Sequence, residues 1–342
     1  MNGLAVSLAS RSGISAAQIA DLARAAEDAG FDSVFLAERC ADSLALAHSA
    51  LLATERITVG TAIANAGVRH PALTALTAAT LAEESGGRFL LGLGVANAAL
   101  NERVLGLAPT RPVTYMREYV GVLRAVMEGR ADPPPGEYFP VAGFVPDRRS
   151  DGRVPVFLAA LLPRMLALAG ELADGVFLNL MAAAQLPAAL AHLDVGLARA
   201  GRTRADIVVA CILPCCISED VDAAARAARQ VVAGYAMHPA AGAVFSESGF
   251  ADDLMRVRER LTAGAENAAA AVSDAMIDAL IVHGRPDALS GRIRAYREAG
   301  VDLPVLFPMP VDNGWTAPMT CVIRNAAPNG TTPPQRKDVR HV

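Results

Sequence analysis

The stretch "SGGRFLLGLGVANAALNE", residues 85–102, decides the fold. Its run RFLLGLG (88–94) reads as a strand, and the polar residues Asn97, Asn101 and Glu102 follow it. A Gly-x-Gly at a strand end fits a doubly wound dinucleotide-binding sheet or a (β/α)8 barrel. The dinucleotide fingerprint needs Gly-x-Gly-x-x-Gly at the first strand–helix turn. Here Asn97 holds the third glycine position and the strand is the fourth of the chain, so the fingerprint fails on residue type and on place. Gly92 and Gly94 read instead as small residues within a strand and at its mouth, where a planar ligand can approach the backbone.

Outward from this stretch, strand and helix patterns alternate. The apolar runs at 4–9, 33–38, 57–63, 88–94, 154–160, 175–180, 207–213 and 303–310 are eight strands. They are near-continuous rather than alternating, as parallel strands covered on both faces should be. Helical patterns fall between them at 15–30, 42–53, 71–84, 112–128, 163–172 and 184–200, then over a long region to about 280, and at 286–299. Ser15 is placed to cap the first helix, and Pro71 to open the third at a position where its missing N–H costs nothing. ALIVHG (279–284) reads as a helix end running into a turn, and the Pro-, Asn- and Thr-rich tail from 316 to 342 as disordered. The fold expected is one α/β domain over 1–315, a (β/α)8 TIM barrel with insertions.

Composition narrows the function. The chain has 342 residues and is 53% apolar, enough for a large core. A net charge of −4 gives no footprint for a nucleic-acid partner. No run of 18 uncharged apolar residues reads as a membrane span. The N-terminus MNGLAVSLASRSG lacks the basic start and long apolar centre of a secretory signal, so a cytoplasmic protein is expected. Cys40, Cys211, Cys215, Cys216 and Cys321 form no disulfide framework and no zinc spacing. The three in IVVACILPCCI read as buried, inert thiols.

Two segments carry a family resemblance. ITVGTAIANAGVRHPALTALTAATLAEESGGRFLLGLGVANAALNE (57–102) and VPVFLAALLPRMLALAGELADGVFLNL (154–180) resemble the luciferase-like monooxygenase family. The likeness is closer to its coenzyme F420-dependent branch, which includes methylenetetrahydromethanopterin reductase and F420-dependent dehydrogenases, and it runs over roughly residues 4 to 310. It implies a usually dimeric luciferase-like barrel holding coenzyme F420, or alternatively FMN, at the C-terminal mouth, where barrel chemistry sits.

The strand ends present the candidates. Glu38-Arg39, Ala62-Ile63 with Asn65, Asn97 with Asn101, Ala159-Ala160 and Asn179 with Met181 all fall there. By resemblance, Ala62-Ile63 is the place of a cis peptide against the deazaflavin ring. Asn97 and Asn101 are the place of contacts to the cofactor tail or ring edge; an asparagine there can equally cap a helix. Leu161-Leu162-Pro163 opens a helix whose free N–H groups suit a phosphate, although relatives often have glycine in this turn. At Glu38-Arg39 the sugar-phosphate dehydrogenases of the branch carry Asp-His, and at Ala98 a glutamate. Arg39 cannot be a general base, because guanidinium stays protonated. Another substrate is therefore expected, with Arg39 holding an anion or paired to Glu38. His70, in Arg69-His70-Pro71, is the histidine placed near the mouth for a proton role, or else a helix cap. Glu38, Arg39 and His70 are thus the catalytic candidates, and no metal is expected.

The function expected is hydride transfer between coenzyme F420 and a small organic substrate. An FMN-dependent monooxygenase and a non-catalytic flavin-binding protein are the alternatives.

Overall fold

The computed structural model describes residues 3–9, 14–38, 41–96, 101–102, 106, 111–132, 134, 136–141, 143–144, 153–265, 267–312 and 314–328. Eight parallel strands form its centre. They are β1 (Ala5–Ala9), β2 (Ser33–Ala37), β3 (Thr58–Thr61), β4 (Phe89–Gly94), β5 (Val156–Ala159), β6 (Gly175–Asn179), β7 (Val208–Ile217) and β8 (Leu303–Pro308). Each pairs with the next, and β8 pairs with both β7 and β1, in register Leu303↔Ala210 and Ala5↔Val305. The sheet is therefore closed, and the open doubly wound alternative is excluded.

The core explains why the chain closes. Inside the ring, Phe35 meets Phe177 edge-on at 5.1 Å between centroids, and Phe157 lies 5.3 Å from Phe177. Glycines make room for these rings. A Cβ on Gly60 would stand 3.0 Å from Phe35, one on Gly92 2.7 Å from Phe177, and one on Gly175 2.4 Å from Phe157. Large side chains set against missing ones fill a small barrel to close-packed density. The Gly-x-Gly of the opening stretch thus begins with a packing glycine.

Helices cover the barrel: α1 (Ala16–Asp28), α2 (Ser43–Ala53), α3 (Pro71–Glu84), α4 (Pro112–Met127), α5 (Pro163–Leu172) and α6 (Leu186–Arg199). Ser15 caps α1 in a capping box with Gln18, and Pro71 opens α3, as their residue types direct. Glycine again sets the closest approach: a Cβ on Gly196 of α6 would sit 1.8 Å from the Ala167 carbonyl of α5.

Three elements differ from the sequence reading. The long helical region is divided into α7 (Val221–Tyr235), α8 (Pro239–Phe245), a π-type turn at Ser246–Phe250, α9 (Ala251–Thr262) and α10 (Asp274–Leu280). Gly249 (φ 85°) breaks the helical path there. These helices bury Phe245, Val257 and Ile277 in a second core that also takes in Leu180 and Met309. Val282–Gly284 is a strand rather than a turn, paired with Cys215–Ile217 of β7 beyond Ile212, where the pairing of β6 ends. After α11 (Ala288–Glu298) and β8, residues Thr316–Asn325 form a helix, α12, instead of a disordered start to the tail. It buries Met319, Val322 and Ile323 at helical spacing. Residues 329–342 lie outside the described residues.

Candidate active site

The C-terminal ends of the strands define one mouth. The inward positions of four adjacent strands there carry almost no side chain: Ala37 on β2, Ala62 just after β3, Gly94 on β4 and Ala159 on β5. Ala62 and Ala159 pack on the inner cluster of Phe35, Leu90, Phe157 and Phe177. A Cβ on Gly94 would meet Ala159 at 3.1 Å and Ile63 at 3.2 Å. The result is a flat apolar shelf with aromatic rings beneath it. The Ala62–Ile63 peptide is cis, as the family resemblance implies.

Along one side of the shelf runs a belt of hydrogen bonds. Nη2 of Arg69 donates to Oε1 of Glu38 at 2.6 Å and reaches Oδ1 of Asp42 at 2.8 Å. Oε2 of Glu38 accepts the backbone N–H of Asn65 at 2.5 Å. Nδ2 of Asn65 donates to Oδ1 of Asn101 at 2.8 Å, and Nδ2 of Asn101 donates to the Val95 carbonyl at 2.6 Å. Asp42 in turn caps α2, accepting from the amides of Leu44 and Ala45.

The electrostatics follow from this geometry. Burial alone would depress the Arg69 guanidinium, but the bonds from Glu38 and Asp42 outweigh it and raise its pKa. Burial likewise works to raise Asp42, yet the Arg69 bond and the α2 amides hold it below the usual carboxylate range. Beneath the belt, burial pushes the Tyr119 hydroxyl upward although Thr74 bonds to it.

The predicted residues divide as follows. Glu38, Ala62, Ile63, Asn65 and Asn101 are brought together on one side of the mouth. Glu38 has both oxygens engaged, and Asn65 and Asn101 are engaged with each other. His70 is exposed, and its Nδ1 accepts the Ala72 amide at 3.3 Å. It is the N-cap of α3 and stacks edge-on against Phe139. Across the mouth, Ala159, Ala160, Leu161 and Leu162 run from β5 into α5, whose N-terminus has no side-chain cap. Asn179 ends β6 with its Oδ1 buried and without a hydrogen-bond partner among the described residues. Met181 is buried, and its carbonyl accepts the Tyr296 hydroxyl at 2.7 Å. Arg39 and Asn97 lie outside the described residues.

Two non-glycine residues in left-handed backbone, Ala96 and Leu180 (φ 52° each), mark where the chain leaves β4 and β6. Such conformations cost of order 1 kcal/mol and collect where a loop must be aimed.

Arg69 and Asp42 are the residues of this belt that sequence reading passed over. The signal was present: an arginine four residues after Asn65 with acids at 38 and 42, in a motif read only for its histidine. Two cavities, of about 600 and 370 Å³, open on the helical shell, along α9 and between α4, α5 and α6, rather than at the mouth.

Comparison with known proteins agrees with the geometry. The family model described as luciferase-like monooxygenase matches residues 3–303. The chain is similar, at 34% identity over 288 residues, to 5,10-methylenetetrahydromethanopterin reductase of Archaeoglobus fulgidus; the match covers 81% of this chain and 85% of the relative. Among solved structures, the coenzyme F420 dependent tetrahydromethanopterin reductase of Methanopyrus kandleri superposes with a TM-score of 0.81 at 27% identity, covering 94% of this chain and 97% of that one. An F420-dependent secondary alcohol dehydrogenase in complex with an F420-acetone adduct superposes with a TM-score of 0.76 at 20% identity, covering 95% and 97%, and so shares the fold.

Proposed function

The chain belongs to the luciferase-like monooxygenase family, and from that membership we propose a coenzyme F420-dependent oxidoreductase that moves a hydride between the cofactor and a small organic substrate. The observation that carries this reading is the shelf of Ala37, Ala62, Gly94 and Ala159, whose small side chains leave a planar ring free to lie on the strand ends. The likeness to the two methanopterin reductases above 25% identity supports the same reading.

The residues present fit such a group. The shelf and Ile63 would take the ring face. Asn179 offers a buried, unpaired acceptor for a ring-edge N–H. The uncapped start of α5 after Ala160 offers amides to a phosphate. A bound deazaflavin supplies a two-electron carbon centre with little reactivity toward oxygen. The protein's part is to bind, orient and keep water from the reacting face. Glu38, clamped by Arg69, holds the wall at Asn65 in place rather than moving a proton. Asn101 braces the same wall from β4.

We further read the protein as a cytoplasmic homodimer of a single barrel domain, with no nucleic-acid partner. No described helix is long and apolar enough to cross a membrane. Leu52 on α2 and Leu73 on α3 are 66% and 61% exposed, apolar surface suited to a second copy.

The test is turnover. Purified protein, incubated without oxygen with oxidised or reduced F420, is given alcohols and one-carbon reduced-pterin substrates while the cofactor absorbance is followed. Consumption of many equivalents of cofactor per protein supports the enzyme. Stoichiometric retention of F420 without turnover on any of them points to a binding protein and overturns the reading.

A further inference from the structure

Among the described residues, the belt beside the shelf has one cation, Arg69, at its centre, and its arrangement is specific. A single nitrogen of Arg69, Nη2, serves two carboxylates at once, Glu38 at 2.6 Å and Asp42 at 2.8 Å. The Nε of the same guanidinium is buried and has no hydrogen-bond partner among the described residues. A buried donor left unpaired is costly. The side chain is thus held toward the two acids at the expense of its own full satisfaction. Glu38 is 12% exposed and Arg69 20%, so water screens this contact less than a surface pair.

Each link leads to the cofactor wall. The backbone N–H of Glu38 reaches the Ile63 carbonyl at 3.4 Å, and Ala62 N–H donates to Leu36 at 2.9 Å. The Glu38 carboxylate holds the Asn65 amide, and the Asn65 side chain continues to Asn101 and β4. Remove the cation, and Glu38 faces Asp42 as a like charge with no other cation paired to it among the described residues. Asp42 keeps its two α2 amides. Glu38 keeps the Asn65 amide alone, and repulsion turns it away from the place where it pins residues 62–65.

Resting on the cofactor reading above, we propose that Arg69 is the positioning residue of the shelf: by bridging Glu38 and Asp42 it fixes the wall at 62–65 against which the ring binds. Arg69 touches no reacting atom in this role. Because one nitrogen does the bridging, the requirement is for a cation at that point rather than for the planar fork of arginine. A lysine ammonium meets it and methionine does not.

The experiment has two readouts, one of them free of cofactor. Backbone amide exchange over residues 62–68 is measured by mass spectrometry on the unliganded protein, and F420 affinity by titration, for wild type, R69M and R69K. R69M should exchange this segment about tenfold faster and bind F420 about tenfold more weakly, the scale of one charge-assisted bond. R69K should stay within about threefold of wild type in both. If R69M does not fold, R69Q replaces it with the same expectation.

Unchanged exchange in R69M, faster exchange with unchanged affinity, or R69K as impaired as R69M would each overturn the proposal. If wild type binds no F420, the functional reading falls by itself. The exchange comparison then still decides whether Arg69 holds the wall.

Discussion

Asn65, in the two-residue strand Ala64–Asn65 that pairs with Leu93–Gly94 of β4, and Asn101, in a helical segment after β4, meet side chain to side chain at 2.8 Å, and they are 4% and 1% exposed. Their amides face each other rather than open space. Asn65 Oδ1 also accepts the Gly67 amide at 2.9 Å, and Asn101 donates to the Val95 carbonyl. The pair ties two strand ends together under the rim.

The first prediction follows from that burial. Asn101→Ala removes the acceptor of the Asn65 side-chain N–H (Nδ2) and the donor to the Val95 carbonyl. Leaving a buried group unpaired costs about 1–3 kcal/mol. Urea unfolding of the cofactor-free protein should show a loss of that order. A residue that served only to touch a ligand would leave the cofactor-free stability unchanged.

The second concerns the opening glycines. A Cβ on Gly92 would lie 1.9 Å from the Thr61 carbonyl oxygen, while the Thr61 hydroxyl bonds both the amide and the carbonyl of Gly92. Gly92→Ala therefore overpacks two strands that cannot separate, at a cost of about 1–3 kcal/mol or more. Gly291, exposed in α11 with nothing near its Cβ position, is the control. Gly291→Ala should be neutral or stabilise by about 0.5–1 kcal/mol through helix propensity. Equal effects in denaturant unfolding would contradict the packing account.

The third tests the shelf. Ala159→Phe puts an aromatic ring where a planar ligand is proposed to lie. Ala159 is only partly buried at the rim, so the chain should fold with a near wild-type circular dichroism spectrum. Cofactor affinity should fall by more than about 100-fold, the scale of a lost stacking contact plus a steric block. Wild-type affinity in this variant would move the ligand elsewhere.

The fourth concerns acid stability. Glu27, at the end of α1, accepts the amides of Glu55, Arg56 and Ile57 at 3.1, 2.6 and 2.8 Å. Burial works to raise its pKa, but these three bonds and the nearby Arg56 charge outweigh it and hold it below the usual range. With the folded value lower than the unfolded one, its contribution is present above the unfolded pKa, roughly pH 4. That contribution is lost as the pH falls through the folded value. Wild type should lose more of its urea midpoint than Glu27→Gln between pH 6 and pH 3. Parallel curves would contradict this.

Much of the architecture was legible because each barrel strand is an apolar run that must be covered on both faces. The failures have physical causes. Val282–Gly284 is three residues long and exists as a strand through its pairing with the far end of β7, a tertiary condition. The α12 helix hides behind Pro, Asn and Thr, but Met319, Val322 and Ile323 give it a buried stripe against β7, β8 and α1. The shelf was legible through the resemblance, since Ala62, Gly94 and Ala159 have no chemistry of their own to announce them. Arg69 was not, because an arginine is read as a surface charge until the fold brings Glu38 and Asp42 to it. His70 drew attention by its titratable ring, and the structure places it as the N-cap of α3. Cys211, Cys215 and Cys216 are buried as expected, and burial pushes Cys216 up to about 12.

The most direct measurement of the central claim is equilibrium titration of purified, cofactor-free protein with F420 and, separately, with FMN, read by quenching of cofactor fluorescence. The account predicts saturable one-to-one binding of F420 with micromolar or tighter affinity, on the order of −8 kcal/mol, and far weaker binding of FMN. Tight FMN binding with none for F420 would contradict it and assign the mouth to oxygen-using flavin chemistry instead.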